Sequence, residues 1–231
     1  MVFIDTVYQR VLSIANKEQR GYITPLEFNL LANQAQLYIF EQYFYDKNQI
    51  ERRLSNDTDY SDVTHILNEK ISVFETRAMA VGGSILPDDL YRLGTVFSID
   101  GTDLYEAEYV DQKDWAYIRS SPLTRPTNIR PVYIRDGGGI LVFGAGNHRL
   151  LSVECVYVKQ PHKVEWGYDV VAEKALYNGS ANRTFNFEHH PSEETTLVLK
   201  ILELAGVIIQ DSGIIQYADQ EELKKLQQEK T

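Results

Sequence analysis

Residues 24–45 read TPLEFNLLANQAQLYIFEQYFY, and the interpretation of the rest of the chain depends on this stretch. Thr24 can cap a helix, Pro25 is tolerated at the first helical position, and Glu27 completes a capping box. The stretch predicts a helix that is apolar around most of its circumference and therefore needs burial on several sides, by the rest of the chain or by a neighbouring subunit. Phe28, Leu31, Ala35, Tyr38 and Tyr45 form one predicted face, Leu30, Leu37 and Phe44 form another, and Ile39 and Phe40 lie between.

The sequence before and after this helix divides into helical and polar segments. Residues 2–16 show three-to-four spacing of apolar side chains and predict a helix. Residues 46–62 are polar and predict a mobile loop with a helical extension at its start. Residues 63–76 fit either a helix or a connector. The chain therefore begins with a predicted helical hairpin or bundle.

From about residue 79 the apolar period shortens to two, which is typical of strands. Glycine-containing turns such as Asp100-Gly101 separate the runs. Alternation places Cys155 beside large apolar residues, so we expect it to be a buried small side chain and not a reactive thiol. The predicted strands are 93–99, 104–110, 130–134, 140–143 and 150–159.

The chain turns helical again near its C-terminal end. Pro191 and Ser192 precede two glutamates and an apolar stripe that Gly206 is placed to end. A segment from Ile214 leads into a charged tail at 221–230, which we expect to fray or to contact a partner. The order of elements predicts an α+β fold with a central antiparallel β domain and C-terminal helices packing back on the bundle. The predicted divisions are 1–78 (helical), 79–190 (β) and 191–231 (C-terminal helices and tail).

Composition limits the possible functions. The chain has 231 residues, 43% hydrophobic and 24% charged, which is ordinary for a globular protein and argues against wholesale disorder. The net charge of −10 argues against DNA binding as the main activity, since duplex affinity depends on cations facing phosphates. No apolar run reaches the length of a membrane-spanning helix, so we expect no membrane partner. The 15 tyrosines fit surfaces buried against another protein, but on composition alone aromatic strand residues account for them better.

The motifs that carry chemistry are incomplete in this sequence. Gly144 and Gly146 resemble a dinucleotide-binding turn, but Arg149 occupies the place of the third small residue and a strand pattern follows, so a hairpin is expected. The adjacent pair His189-His190 points to opposite faces of an extended chain and predicts a solvated loop pair, not a metal site. Asp100 and Asp103 are expected to flank an ordinary hairpin turn. We expect no catalytic residue, no cofactor and no metal.

Residues 121–131 read SPLTRPTNIRP and form a segment unlike the rest of the chain. Three prolines in this stretch favour an extended, preorganised conformation. Arg125 and Arg130 lie within it, and Arg119 precedes it. In an acidic protein such a segment suggests docking against an acidic surface of a neighbouring subunit. The alternative, a loop that only covers the edge of its own sheet, is equally compatible with the sequence.

Four local patterns lie in order along most of the chain, and none is a catalytic motif. The patterns are 17–25 (KEQRGYITP) leading into Phe28-Asn29 and Ala35-Gln36, 86–93 (LPDDLYRL), 121–126 (SPLTRP) through 130–133 (RPVY), and 197–202 (LVLKIL) with Gly206 and then 216–218 (QYA). In overall pattern they resemble the head-to-tail connector or ring proteins of short-tailed phages, particularly those of crAss-like phages and related marine podoviruses.

The resemblance implies a non-enzymatic virion protein located at the head-to-tail interface and made in the cytoplasm of the bacterial host. Proteins of that kind assemble as rings, commonly twelve-fold, beneath the portal protein and contact other tail and ring proteins. Genomic DNA would then pass through the lumen without sequence-specific binding. A lumen of negative charge would repel phosphates and prevent sticking.

Two other classes remain open at this point. The first is a host-surface glycan-binding or depolymerising tail module, for which Trp115 and Trp166 would be exposed aromatic platforms. The absence of a paired catalytic carboxylate motif and the apolar N-terminal helix argue against it. The second is a cytoplasmic regulatory protein, which would be missing from purified virions.

Overall fold

A computed structural model describes residues 1–17, 23–52, 58–180 and 182–208. The chain forms an α+β fold, as predicted, with helices at the N-terminal side, antiparallel strands in the middle and a helix after them. It divides into two compact units. The first, unit 1, comprises Met1–Val73 together with Pro161–Thr231, and the second, unit 2, comprises Phe74–Gln160.

Among its described residues, unit 1 contains four α-helices. They are α1 (Ile4–Lys17), α2 (Pro25–Arg52), α3 (Thr58–Ser72) and α5 (Glu194–Ile208). The predicted capping box at the start of α2 is confirmed, because the Thr24 backbone N–H donates to Glu27 Oε2 at 2.9 Å and the Glu27 N–H donates to Thr24 Oγ1 at 3.3 Å. The pKa of Glu27 is lowered because its carboxylate accepts from the Thr24 backbone N–H and, at 2.8 Å, from the Thr24 hydroxyl.

The helical extension predicted at the start of 46–62 is confirmed, because α2 continues to Arg52. The loop predicted for the rest of this stretch is wrong from Thr58, where α3 begins, and residues 53–57 lie outside the described residues. Polar side chains four residues apart bond to one another along this extension. Gln42 Nε2 donates to Asp46 Oδ1 at 3.0 Å, and Gln49 Nε2 donates to Tyr45 Oη at 2.6 Å. The polar composition of residues 46–52 therefore reflects a helix end that faces solvent. The open segment at 63–76 is resolved as the end of α3 followed by the first strand.

The apolar side chains around α2 are covered mainly by other residues of the same chain. Phe28, Phe40 and Phe44 are all buried, and the rings of Phe40 and Phe44 meet edge-on with centroids 5.2 Å apart. Phe44, on the second predicted face of the helix, is therefore buried by its own chain and needs no neighbouring subunit. The large apolar side chains that the described part of α2 leaves exposed are Leu26, Leu30, Tyr38 and Tyr45.

Three amide side chains on one stripe of α2 hold an extended segment of the same unit. Asn29 bonds to both backbone groups of Trp166, with Nδ2–O and N–Oδ1 distances of 3.4 and 2.8 Å. Asn33 does the same at Val164, at 2.8 and 3.0 Å, and Gln36 Nε2 donates to the His162 carbonyl at 2.6 Å. We call this arrangement the amide ladder. It satisfies alternate backbone groups of a segment that has no strand partner at these residues.

The amide ladder explains why the predicted division at 79–190 differs from the structure. Residues after Pro161 belong with the helices and not with the β domain. They include a hairpin formed by β8 (Tyr168–Val171) and β9 (Lys174–Tyr177), followed by a bridge between Val2 and Phe187. No strand was predicted after residue 159, and the backbone at 162–166 bonds to side chains of α2.

Unit 2 is built from two sheets and one helix. The first sheet has the order β1-β7-β2-β3, and the second has the order β4-β5-β6. The strands are β1 (Glu75–Met79), β2 (Leu90–Asp100), β3 (Asp103–Glu106), β4 (Glu108–Tyr109), β5 (Val132–Asp136), β6 (Gly139–Phe143) and β7 (Val153–Lys159). All five predicted runs contain strand, and pairing is antiparallel except between β4 and β5.

Alternation along β5 divides the core of unit 2 into two layers. Tyr133 faces a cluster that includes Val96 and Val153 of the first sheet. Val132 and Ile134 face the opposite way, against a helix, α4 (Gln112–Ser120), which contributes Trp115 and Ile118. This helix was not predicted, because its residues are exposed or half-buried and give only a weak apolar stripe.

Two further expectations concern the C-terminal part of the chain. The helix expected to end at Gly206 continues to Ile208. The segment from Ile214, the tail at 221–230 and residues 18–22 of the first resembling pattern lie outside the described residues. Within the part of the chain that the structure describes, no helix has both the length and the apolar content to cross a bilayer.

We predict that Asn33→Ala lowers the free energy of unfolding by about 1–3 kcal/mol, because the N–H and C=O of Val164 each lose a partner in a half-buried position. The neighbouring, exposed Gln34→Ala is the matched control and should change it by less than about 0.5 kcal/mol. Urea unfolding followed by circular dichroism measures both. Equal effects of the two substitutions would contradict a structural role for the amide ladder.

We also predict that Phe44→Asp unfolds unit 1, because burying an unpaired carboxylate costs several kcal/mol. Tyr45→Asp, one position along on the exposed side of α2, should leave the unit folded. Thermal unfolding of the two purified variants compares them directly. A folded Phe44→Asp variant with a normal melting temperature would show that Phe44 is not core.

Candidate interaction surfaces

The proline-arginine segment, 121–131, is anchored to unit 2 by backbone and side-chain hydrogen bonds. Asn128 Oδ1 accepts from the Ala145 N–H at 3.0 Å, and Thr127 and Arg130 exchange bonds of 3.1 Å. Pro126 and Pro131 are buried. Gly144 is required beneath it, since an added Cβ would lie 2.8 Å from Asn128 Oδ1. The segment is thus preformed on its own unit.

Large apolar side chains point away from this anchored backbone. Leu123 is 94% exposed, Ile129 is 73% exposed and Tyr117 of α4 is 76% exposed. Arg119 and Arg125 are exposed beside them. We call these five residues the docking strip. It combines a fixed backbone with apolar and cationic side chains in solvent, which is the chemistry expected of a surface that binds another protein.

Arg130 does not belong to the docking strip. Its Nη2 lies 2.9 Å from Glu108 Oε2 of the same unit, with both side chains largely exposed. Arg130 therefore already has a carboxylate partner within its own unit, and contact of the three arginines with a neighbouring subunit stays a prediction. The sequence could not distinguish Arg130 from the other two arginines. Glu108 precedes Arg130 by 22 residues and reaches it only through the parallel pairing of β4 with β5.

The cover that the alternative interpretation assigned to 121–131 is seen in the helix before this segment, α4. There the Trp115 ring stacks on Phe143 with centroids 4.3 Å apart. The other face of that helix and the segment after it carry the docking strip. The chain between β4 and β5 therefore has an inner side that packs on the sheet and an outer side that is exposed.

Unit 1 has two exposed apolar surfaces of its own. The outer face of α2 exposes more than half of Leu26, Leu30 and Tyr45. The β8–β9 hairpin has only two strands, and it exposes the side chains of Val170, Val171 and Leu176. An isolated two-stranded hairpin is marginally stable in water, and this one is supported at its base by Trp166, whose ring stacks on Tyr168 and Tyr177.

The sequence predicted that His189 and His190 form a solvated loop pair, and this prediction is wrong. His189 is completely buried, 6.1 Å from the Tyr43 ring between centroids. His190 instead caps the turn before α5 by accepting from the Ser192 N–H. Nearby, Lys70 Nζ and Glu193 Oε1 form a buried ion pair at 2.9 Å. This cluster is part of the core of unit 1.

Burial lowers the pKa of His189 to about 4, against the opposing pull of the Glu193 carboxylate. Between about pH 4 and 6.5, the unfolded chain therefore binds a proton at His189 that the folded chain does not bind. This contribution to stability is complete above the unfolded pKa and is lost as the pH falls through this window.

We predict that the wild-type chain loses about 2 kcal/mol of stability between pH 7.5 and 5 through His189, and that His189→Gln removes this part of the pH dependence. Urea unfolding of both chains at the two pH values measures the difference. His148→Gln, an exposed histidine in unit 2, is the matched control and should keep the wild-type slope. Identical slopes for wild type and His189→Gln would contradict the buried neutral state.

The remaining sequence candidates occupy structural positions. The Gly144–Gly146 turn returns the chain antiparallel, with the Leu150 N–H donating to the Val142 carbonyl at 2.8 Å, so the hairpin interpretation is confirmed. Asp100 and Asp103 pair at the end of the β2–β3 hairpin, as predicted. Cys155 is buried, and burial raises its pKa.

The two tryptophans are not equivalent as aromatic platforms. Trp166 is buried, and its Nε1 donates to Asp5 Oδ1 at 2.9 Å. Trp115 is half-buried against the sheet. An exposed pair for stacking on a sugar ring would have to come from other residues.

Comparison with models of known protein families finds no match for this chain, and comparison with curated proteins finds none either. Functional inference therefore depends on the surfaces described above and on the sequence pattern.

Proposed function

We propose that this protein is a non-enzymatic structural subunit of a ring in the head-to-tail connector of a short-tailed phage, joining the portal to the tail and lining the path of the DNA. The sequence pattern suggests the family, and the docking strip is the observation that carries the proposal. It is a surface for binding protein, held in place by its own unit.

Energetics favour burial of the docking strip against another chain. Transferring one Leu or Ile side chain out of water contributes about 1.5–3 kcal/mol. Most of the ordering entropy has already been lost, because hydrogen bonds and buried prolines fix the segment in the isolated unit. A partner would therefore gain nearly the full benefit of covering Leu123 and Ile129.

A ring requires heterologous contacts, in which one patch of a subunit meets a different patch of the next. The chain offers patches of distinct chemistry. The docking strip is apolar and cationic, whereas the outer face of α2 and the β8–β9 hairpin are mainly apolar. The net charge of −10 supplies carboxylates for the two arginines of the strip. It also suits a conduit that DNA must pass without sticking.

We predict that Arg119→Ala with Arg125→Ala weakens self-association, and more at low salt than at high salt, because screening already weakens the wild-type contacts at high salt. The thermal stability of the dissociated subunit should stay within about 0.5 kcal/mol of wild type. Arg130→Ala, which removes only an exposed intrachain pair, is the matched control and should associate normally. Sedimentation velocity at two salt concentrations, with thermal melts, gives both readouts.

The apolar part of the docking strip has a separate test. Leu123→Asp with Ile129→Asp should abolish closed oligomers seen by native mass spectrometry while leaving a folded subunit, since both side chains are exposed in it. Unchanged oligomers would contradict the docking role of the strip. A wild-type chain that stays monomeric at all concentrations, alone and with portal protein, and binds glycans on an array would contradict the connector and support the tail-module alternative.

A further inference from the structure

The exposed side chains of α2 form one stripe along the helix. Each of them but the last has another three or four residues further along, which places them on a single face. In the described part of the helix they comprise four large apolar side chains, two carboxylates and two amides, without a lysine or an arginine. The stripe is therefore apolar and acidic. Its members are Leu26, Glu27, Leu30, Gln34, Tyr38, Glu41, Tyr45 and Asn48.

Two tyrosines of this stripe lie on either side of a carboxylate. Glu41 follows Tyr38 by three residues and precedes Tyr45 by four, so the three side chains are neighbours on the helix surface. Tyr38 is 47% exposed and Tyr45 is 57% exposed. We call these three residues the tyrosine patch.

Contacts within unit 1 hold both rings of the tyrosine patch in place. Lys200 Nζ of α5 lies 3.6 Å from the centroid of the Tyr38 ring. Gln49 Nε2 donates to Tyr45 Oη at 2.6 Å. Two aromatic side chains that are already positioned lose little conformational entropy when another protein covers them.

The two carboxylates of the stripe differ in what they already bind. Glu27 accepts from both the N–H and the hydroxyl of Thr24 at the start of the helix. Glu41 is exposed and forms no ion pair with any residue that the structure describes. The negative charge of the tyrosine patch is therefore available to a cation from another chain.

The docking strip of unit 2 brings two cations together. Arg119 is in the last turn of α4, and Arg125 follows six residues later. The Arg125 N–H donates to the Ser121 carbonyl at 3.1 Å, and Thr124 Oγ1 donates to the Ile118 carbonyl at 3.4 Å. These bonds turn the chain back on the end of α4, so both arginines lie on one turn.

The docking strip and the tyrosine patch are complementary in chemistry. A guanidinium group pairs with a carboxylate and also stacks on an aromatic ring, which a lysine does less well. The patch offers both partners side by side. Leu123 and Ile129 of the strip supply apolar area to cover the rings.

The other exposed apolar surface of unit 1, the β8–β9 hairpin, lacks this complementarity. Its Asp169 already pairs with Arg183. Its other carboxylate, Glu173, is followed directly by Lys174, and both are exposed. The hairpin therefore offers apolar area without an excess of negative charge.

We propose that the docking strip of one copy binds the tyrosine patch of a second copy. Arg119 and Arg125 pair with Glu41, and Leu123 and Ile129 cover the tyrosine rings. The inference rests on the proposed function, because it names the surface of the neighbouring subunit that receives the strip. Since strip and patch are different surfaces, each linked pair keeps one unused strip and one unused patch, and the contact can propagate around a ring.

Site-specific cross-linking tests the contact in the full chain. The native thiol gives little background, because Cys155 is buried and burial raises its pKa. An Asn48→Cys copy, altered beside the patch, is mixed with a Thr124→Cys copy, altered within the docking segment, and treated with a short bis-maleimide. We expect a covalent dimer on a denaturing gel that neither copy gives alone. Val171→Cys, on the exposed β8–β9 hairpin, replaces Asn48→Cys as the matched control and should give none.

Absence of the dimer from the Asn48→Cys mixture would overturn the proposal. An equal yield with Val171→Cys would also overturn it, because the hairpin would then receive the strip. So would an intrachain link in the Asn48→Cys, Thr124→Cys double variant without a mixed dimer.

Reversal of charge tests the ion pairs of the contact. Adding Glu41→Arg to the Asn48→Cys copy should reduce the dimer yield at least about ten-fold, because three cations then face one another. Adding Arg119→Glu and Arg125→Glu to the Thr124→Cys copy should restore the yield with that variant. Glu173→Arg, the same change of charge on the hairpin, is the matched control and should leave the yield unchanged. A yield that does not respond to Glu41→Arg would contradict the pairing.

Mass photometry of the same samples separates this inference from the proposed function. Closed rings without the cross-link would overturn the contact between strip and patch and leave the ring proposal standing. A cross-linked pair that never closes into a larger oligomer would support the contact and contradict the ring.

Discussion

The amide ladder on α2 is the interaction on which the organisation of unit 1 depends. Asn29, Asn33 and Gln36 recur at helical spacing and bond to alternate residues of an extended segment. A helix advances about 1.5 Å per residue and a strand about 3.3 Å, so the step from Asn29 to Asn33, about 6.0 Å, nearly matches the step between Val164 and Trp166, about 6.6 Å. This match lets a helix act as the pairing partner of an unpaired backbone. It brings residues after 160 into the helical unit, and with them the β8–β9 hairpin and the buried His189.

Unit 2 depends on a different constraint, the alternation of β5 between two apolar layers. Because Val132 and Ile134 need cover on the side away from the first sheet, the chain makes an excursion between β4 and β5 that packs Trp115 and Ile118 there. An excursion of this length has an outer side, and its return path through 121–131 is fixed by prolines and by Asn128. The exposure of Leu123 and Ile129 is thus a consequence of covering the sheet, and it supplies a rigid surface at no further ordering cost.

Sequence reasoning correctly predicted the features that depend on local patterns and failed where distant residues compete. The capping box of α2, the Asp100–Asp103 hairpin and the burial of Cys155 follow from spacing within a few residues, and each is confirmed. His189 was misplaced, because its burial depends on which parts of the chain fold back on α2. Docking through 121–131 stays a prediction, and one arginine of this segment, Arg130, pairs with Glu108 of its own unit.

The sequence by itself determined the α+β class, the helix at 24–45, the strand runs between 90 and 159 and the unusual character of 121–131, since helical and strand periods and proline content are local properties. Only the tertiary structure decided that residues 161–190 join the helices, and that Arg119 and Arg125 remain exposed while Arg130 does not stay unpaired. These outcomes depend on pairings between residues far apart in the chain. Which partner a backbone group bonds to depends on which groups the fold brings within hydrogen-bond distance.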